Sequence, residues 1–360
     1  MNKIIYNVLD TLENNGYQAY IVGGFVRDYL LGKKSYDVDI CTNALPKEVH
    51  KIFKINNKNN YGGSNLKIKQ FNIDITTFRK DIYDENNNLK IEYINDLKED
   101  LLRRDFTINS ICMNKNGEII DLLNGINDLN NCLIKMIGNS YEKIKEDPLR
   151  ILRTIRFATV LDFEIDNELL NKIKENNYLV KNISKFRVKE EFIKIFSCLN
   201  FQKGLDLCQK LDLNKYLGLE HEEVFFSDII GMWSQVKIAN IPFTKEEKNN
   251  IIKITEVVNK GLIDEESLYD YGLYICTVAG QIMNYKLKDL NKMYHKLPIK
   301  DINEINIESI EICEILNINP SKIIKIIFKD LEKEILRRHL KNNKKDIKNY
   351  LKNNKDKWLN

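Results

Sequence analysis

The stretch "VGGFVRDYLLGKKSYDVDICT", Val22 to Thr42, decides how the front of the chain is read. Asp37 and Asp39 stand two apart in a segment that reads as a strand, just after a glycine pair that opens a short helix. Residues two apart on a strand share a face, with Cα atoms roughly 6–7 Å apart. At an effective dielectric of about 20 their mutual repulsion is on the order of 2–3 kcal/mol, so something positive must offset it. Paired same-face carboxylates are the oxygen ligands that a hard cation such as Mg²⁺ takes. The same pair on an exposed strand can also simply be solvated. Three neighbours favour the cation. Val38 and Ile40 give the strand a buried opposite face. Gly23–Gly24 lets backbone N–H groups approach an anion at a helix start. Asp74, on the polar face of a later strand, supplies a third carboxylate. No G-x-x-x-x-G-K-[ST] and no G-x-G-x-x-G occurs, so neither a Walker loop nor a dinucleotide fingerprint is present.

Working outward, "AYIVGG" (19–24) and "DVDICT" (37–42) read as strands around the helix "FVRDYLLG", with Gly32 at its C′ position. "LPKEVHKIF" (45–53) reads as a helix with Pro46 near its start. In "LKIKQFNIDITTF" (66–78), Phe71, Ile73 and Ile75 alternate with Asn72 and Asp74. "INSICMN" and "EIIDLL" add short strand material, and residues 55–65 form a polar loop. From about Glu142 the pattern turns helical. "DPLRILRTIRFATVL" places Leu149, Leu152, Ile155, Ala158 and Val160 on a buried side. Further apolar-periodic segments run to residue 351, with no strand pattern of similar strength. The expectation is an α+β chain: a head with a mixed sheet over 1–135, a helical neck over 136–200, and a helical body and basic tail over 201–360.

The 360 residues, 43% of them hydrophobic, suffice for a large core or several smaller ones. No run of 18 apolar residues exists, which excludes a membrane-spanning helix. The N-terminal stretch is an amphipathic helix (Ile4, Ile5, Val8, Leu9, Leu12) without a signal-peptide cleavage site. Seven scattered cysteines with no C-x-x-C pair read as reduced thiols, and hence a cytoplasmic protein. The net charge of +4 is concentrated: residues 341–360 carry seven Lys and two Asp, and the rest of the chain is near neutral. Such an end is either a solvated lysine-rich helix or a phosphate-contacting surface for a nucleic acid. None of the four histidines adjoins an aspartate, so no H-D phosphohydrolase module is present.

Two further motifs carry charged groups. "LLRRDFTINSI" (101–111) holds Arg103, Arg104, Asp105 and Asn109. "EDPLRILRTIRF" (146–157) holds Glu146, Asp147, Arg150, Arg153 and Arg156. Helix rules alone allow Asp147 to be a cap before Pro148 and an i,i+3 ion-pair partner of Arg150.

Taken together, "GGFVRDYLLG…YDVDICT", "RRDFTIN" and "EDPLR" resemble the DNA polymerase β-like nucleotidyltransferases, and within them the class II tRNA nucleotidyltransferases (CCA-adding enzymes) and the related bacterial poly(A) polymerases. The resemblance runs from about residue 18 to 200. It implies that Asp37 and Asp39 bind two Mg²⁺ ions, that Asp74 is the third catalytic carboxylate, and that Gly23, Gly24, Arg27 and Asp28 belong to the nucleotide site. It implies an in-line displacement by an RNA 3′-hydroxyl, with release of pyrophosphate. Arg104, Asp105 and Asn109 would meet the nucleotide's phosphates and sugar.

The resemblance further implies that Asp147 and Arg150 read the incoming base without a template. The chemistry agrees. Cytosine and adenine present an amino donor beside a ring-nitrogen acceptor, which a carboxylate and a guanidinium match. Guanine and uracil present a carbonyl beside an N–H, leaving unpaired groups at roughly 1–3 kcal/mol each. Glu146 would orient Arg150, while Arg153 and Arg156 would face phosphate or acidic neighbours. The implied partners are the tRNA 3′ end, CTP and ATP, with tRNA held by shape and phosphate contacts. Addition of an A tail or of part of CCA, and an inactive RNA-binding scaffold, are the competing readings. Residues 79–96 match a mobile loop of the family but place Asn87 or Asn88 where many members have Arg.

Overall fold

The structure is a computed structural model that describes residues 2–55, 63–83 and 89–359. The centre of the polar run 55–65, and Asn87 and Asn88, lie outside the described residues. The chain divides into two compact units, residues 1–219 with 239–241, and residues 220–238 with 242–360.

The first unit opens with helix α1 (Lys3–Asn14), which buries Ile5, Val8, Leu9 and Leu12 as its periodicity predicts. Strand β1 (Ala19–Val22), helix α2 (Gly24–Leu30), strand β2 (Asp37–Thr42) and helix α3 (Pro46–Phe53) follow. Gly32, at φ +70°, follows Leu31 past the end of α2, the left-handed position that a glycine fills without strain.

Strands β3 (Gly63–Ile68) and β4 (Phe71–Thr77) form a hairpin. The turn between them, with Lys69 at φ +53°, divides the segment 66–78, and the alternation read from Phe71 to Ile75 falls wholly on β4. On β4, Phe71, Ile73 and Ile75 are buried and Asn72 and Asp74 are half-buried, as predicted. The edges of the 79–96 segment pair as strands β5 (Arg79–Tyr83) and β6 (Leu89–Tyr93).

After helix α4 (Leu97–Leu102), the short strands β7 (Cys112–Met113) and β8 (Ile119–Ile120) complete a six-stranded sheet ordered β3-β4-β2-β1-β7-β8. It is mixed: β2 pairs with β4 in parallel and every other neighbour is antiparallel. Below it, Val22, Cys41, Phe78, Leu101 and Cys112 form a fully buried cluster.

Helix α5 (Gly125–Asn130) and strand β9 (Leu133–Ile134) lead into α6 (Ser140–Glu146) and α7 (Leu149–Leu161). Strand β10 (Glu164–Ile165), paired in parallel with β9, then precedes α8 (Asn167–Glu175) and α9 (Lys185–Phe196). Helix α7 is buried nearly all round, including Leu149, Leu152, Ile155 and Ala158. Val160 corrects the expectation, being 41% exposed. It lies four residues beyond Arg156 and seven beyond Arg153, so it continues the arginine stripe rather than the apolar one.

The second unit is almost wholly helical, with its longest helices at Lys245–Lys260, Glu265–Ile282 and Lys322–Leu336. Thr244 and Glu247 form a capping box before the first of these. Two apolar clusters fill the unit, one around Ile254, Leu268 and Ala279, the other around Ile312, Leu331 and Ile347. In the basic tail, Lys344 and Lys348 pair with Glu311 and Lys357 pairs with Asp330, so three of its seven lysines serve the fold. The seven cysteines are all free thiols. Among the described residues no helix is long and apolar enough to cross a membrane.

Gly125 fixes how closely α5 packs on the 107–109 turn. A Cβ there would stand 2.2 Å from the Thr107 carbonyl oxygen and 2.9 Å from Ile111 Cγ1. Gly125→Ala should therefore lower unfolding free energy by about 1–3 kcal/mol in urea denaturation. An unchanged midpoint would contradict this packing.

Candidate active site

Backbone pairing sets the acidic face. In the parallel register of β2 with β4, Asp39 is the partner of Asp74 and Asp37 the partner of Asn72. With period-two alternation, Asp37, Asp39 and Asp74 lie on one side, while Val38, Ile40, Ile73 and Ile75 are buried on the other. Asn65 on β3 donates to Asp74 at 2.8 Å. Neither the Asp37 nor the Asp39 carboxylate has a hydrogen-bond or ion-pair partner among the described residues.

Gly23 turns the chain from β1 into α2 at φ +80°, a conformation that disfavours a side chain. A Cβ on Gly23 would sit 3.3 Å from Asp39 Oδ2 and 4.0 Å from Arg104 Nη1. The glycine backbone, the Asp39 carboxylate and the Arg104 guanidinium thus meet at one corner.

Asp39 is held above the usual carboxylate range. Packed protein around the group is the main cause, Arg104 opposes it, and Asp74 and Asp37 add to it. Its oxygens suit a hard divalent cation. Among the described residues no three Asp, Glu, His or Cys groups close into a ready-made cage. An ion at Asp37 and Asp39 would therefore complete its shell with water and substrate oxygens. Arg104 Nε is buried with no hydrogen-bond partner among the described residues, a donor that suits an anionic oxygen.

A cleft of about 550 Å³ opens from that corner. Of the residues singled out in the sequence, Gly23, Gly24, Arg27, Asp39, Arg104, Asp105, Asn109, Asp147, Arg150, Arg153 and Arg156 line it. Asp28, Asp37, Asp74 and Glu146 do not. Asp28 accepts Arg27 Nε and Nη2 on one oxygen, at 2.9 and 2.8 Å. Glu146 accepts Arg150 Nη1 at 2.7 Å.

The two sides of the cleft are ordered by ion pairs, some local and some between distant elements. Asp100, fully buried on α4, accepts Arg103 Nε at 2.8 Å, Arg104 Nη2 at 3.1 Å and the Arg79 N–H at 3.1 Å. Asp105 accepts two bonds from Arg153 on Oδ2, and the Asn109 amide and the Phe106 N–H on Oδ1. Burial works to raise the Asp105 carboxyl, but Arg153 and these bonds hold it below the usual range. With all four acceptor positions occupied, Asp105 has none left for a sugar hydroxyl. Asn109 takes Arg27 Nη1 on its oxygen at 2.7 Å and keeps one amide hydrogen.

At the other end, Asp147 accepts the Leu149 N–H at 3.2 Å, a capping contact. It does not pair with Arg150. Arg187 of α9 takes both its oxygens, and Arg150 turns to Glu146, to the Lys143 carbonyl at 2.6 Å and to the Arg103 carbonyl at 3.3 Å. Arg156 pairs with Glu191 of α9. Phe157 forms a floor that three guanidiniums cover, Arg156 at 3.8 Å, Arg27 at 5.3 Å and Arg153 at 5.5 Å from its ring centre.

Asp100, Phe157, Arg187 and Glu191 were not singled out from the sequence. Arg187 and Glu191 reach Asp147 and Arg156 by packing of separate elements, whereas Asp100 meets Arg103 and Arg104, and Phe157 meets Arg153, at helical i,i+3 and i,i+4 spacings that are local signals.

Comparison with known proteins places the chain. Residues 19–135 match the Poly A polymerase head domain family, 162–224 an RNA and SrmB-binding site family of polymerase A, and 234–351 the tRNA nucleotidyltransferase domain 2 family. A CCA-adding enzyme of Ligilactobacillus salivarius is 32% identical over 94% of this chain and 93% of its own. One of Lactococcus lactis is 31% identical over 93% of each chain. Among solved structures, a Bacillus stearothermophilus CCA-adding enzyme in complex with CTP has the same fold, with TM-score 0.89, 24% identity and 99% of each chain covered.

Because Asp39 has a folded-state pKa above its unfolded one, its charge opposes folding at neutral pH, and stability gains as pH falls through the raised value. Asp105 has the opposite sign: its contribution holds above the unfolded pKa and is lost as pH falls through the depressed one. Asp39→Asn should raise the unfolding free energy at pH 7 by less than about 1 kcal/mol, since the group also faces water, and with it Tm. A lower Tm would contradict the unbalanced acidic face.

Proposed function

The chain belongs to the CCA-adding enzymes, the class II tRNA nucleotidyltransferases, and on that footing we propose that it adds C and A from CTP and ATP to the 3′ end of tRNA, releasing pyrophosphate. The carrying observation is that one cleft holds both Asp39 and the pair Asp147 and Arg150. The relatives' names favour full CCA addition over poly(A) or partial addition, and the filled acidic positions favour an active enzyme over an inert scaffold.

Members of this family generally use a divalent metal, and Asp37 and Asp39 would hold two Mg²⁺ ions here, with Asp74 as third carboxylate. Bound there, the ions supply activation of the RNA 3′-hydroxyl and neutralisation of charge on the leaving pyrophosphate. The protein's own groups do the rest. Arg104, braced by Asp100, directs donors at the phosphates beside the open backbone of Gly23 and Gly24. Arg27, held by Asp28 and Phe157, fixes Asn109, whose spare amide hydrogen faces a ribose hydroxyl. Asp105 acts one step back, holding Arg153 and Asn109.

At the base end, Asp147 Oδ2 keeps one acceptor position, and Arg150 Nη2 keeps one hydrogen after its bond to Arg103. An acceptor beside a donor matches cytosine and adenine and mismatches uracil and guanine. Residues 1–135 serve as the catalytic head, 136–200 as the base-reading neck and 201–360 as the RNA-binding body and tail. The free thiols fit a reducing compartment, and the cytoplasm is where we place the enzyme.

The test is incubation with tRNA lacking its 3′ end, Mg²⁺ and each labelled nucleoside triphosphate. C addition followed by A is expected; runs of A would identify a poly(A) polymerase, and no incorporation an inactive scaffold. Asp39→Ala should fold and abolish incorporation, and full activity in that variant would reject the assignment. Asp147→Ala with Arg150→Ala should lose discrimination against UTP and GTP, and retained discrimination would remove the base-reading assignment.

A further inference from the structure

Helix rules offer Asp147 and Arg150 to each other as an i,i+3 ion pair, yet the structure keeps them apart. Asp147 is gripped by Arg187, with Nη1 to Oδ1 at 3.1 Å and Nη2 to Oδ2 at 2.8 Å. Arg150 is drawn the other way, to Glu146, the Lys143 carbonyl and the Arg103 carbonyl. Arg187 sits forty residues from Asp147, in the first turn of α9, where its own N–H is accepted by the Ser184 cap at 3.4 Å. It does not line the cleft.

We propose that Arg187 is a positioning residue for base selection: it holds the Asp147 carboxylate away from Arg150, so that each keeps an edge for the incoming base. This rests on the base-reading role proposed above. The bookkeeping of lone pairs carries it. With Arg187 and the Leu149 N–H on Oδ1 and Arg187 on Oδ2, one acceptor position remains, and it belongs to Oδ2. The planar guanidinium fixes the carboxylate plane, which a single-point cation does not. Without Arg187, Asp147 is free to turn to Arg150, three residues on, or to Arg153, whose charge it already feels. Pairing with Arg150 would consume the acceptor and the donor that cytosine and adenine need.

Stability alone gives the contact little purpose. The Arg187 and Asp147 side chains are 48% and 26% exposed, and ion pairs that open to solvent contribute little to folding. Arg187→Ala is thus expected to fold with an unchanged melting temperature.

The experiment measures kcat and KM for each of the four nucleoside triphosphates on tRNA lacking its 3′ end, for Arg187→Ala, Arg187→Lys and Asp147→Ala. For Arg187→Ala we expect KM for CTP and ATP to rise on the order of tenfold, with discrimination against UTP and GTP falling by a similar factor and kcat for CTP moving less. Arg187→Lys should restore charge but not discrimination, since an ammonium cannot hold both oxygens. If Asp147→Ala loses discrimination while Arg187→Ala keeps it, the positioning role is overturned and the base-reading assignment stands. If neither variant changes discrimination, both are overturned. Full rescue by Arg187→Lys would also overturn the two-oxygen grip.

Discussion

The parallel pairing of β2 with β4 places Asp39 opposite Asp74, with Asp37 two residues away on the same face. Like charges set directly opposite in a sheet are unfavourable, and the protein supplies few groups to offset them. Asn65 satisfies Asp74, and Arg104 acts on Asp39 through its charge. The imbalance is held in place by Val38, Ile40, Ile73 and Ile75, whose burial fixes the register. A sheet that gives up stability at one face in this way fits the proposal that cations arriving with a triphosphate settle there.

The cleft follows the opposite rule. Nearly every charge along it has a partner: Asp100 braces Arg103 and Arg104 and Glu146 braces Arg150 at i,i+3 or i,i+4 spacing, while Asp105 braces Arg153 and Glu191 braces Arg156 from distant elements. Phe157 gives three of the guanidiniums a common apolar floor. Such bracing leaves few hydrogen-bonding positions free along the cleft, and none on Asp105. On the base-reading role proposed for Asp147 and Arg150, such a rigid set would stand in for a nucleic-acid template because its pattern would not rearrange when the base changes.

Much of this was legible in the sequence. Period-two alternation from Phe71 located the strand that carries Asp74, and the glycine pair located the turn beside Asp39. The motif residues of 101–111 and 146–157 converge on one cleft because they flank the sheet's edge and the start of α7. What the sequence did not disclose depends on packing between distant elements. The grip of Arg187 on Asp147 and of Glu191 on Arg156 spans 40 and 35 residues, with no periodicity to announce it. Nor could motif chemistry show that Asp105 has its acceptor positions filled; that emerges only when its four donors are counted. Val160 was misjudged because α7 is buried on more than one side, which makes its apolar stripe a poor guide to its packing face.

The claim that the rest depends on is that the acidic face accepts a divalent cation together with a triphosphate. Calorimetric titration of Mg²⁺ into the chain saturated with a non-hydrolysable CTP analogue tests it directly, alongside a variant carrying Asp37→Asn and Asp39→Asn. The account predicts saturable Mg²⁺ binding in the parent chain that the variant lacks. Equal binding in both would contradict it.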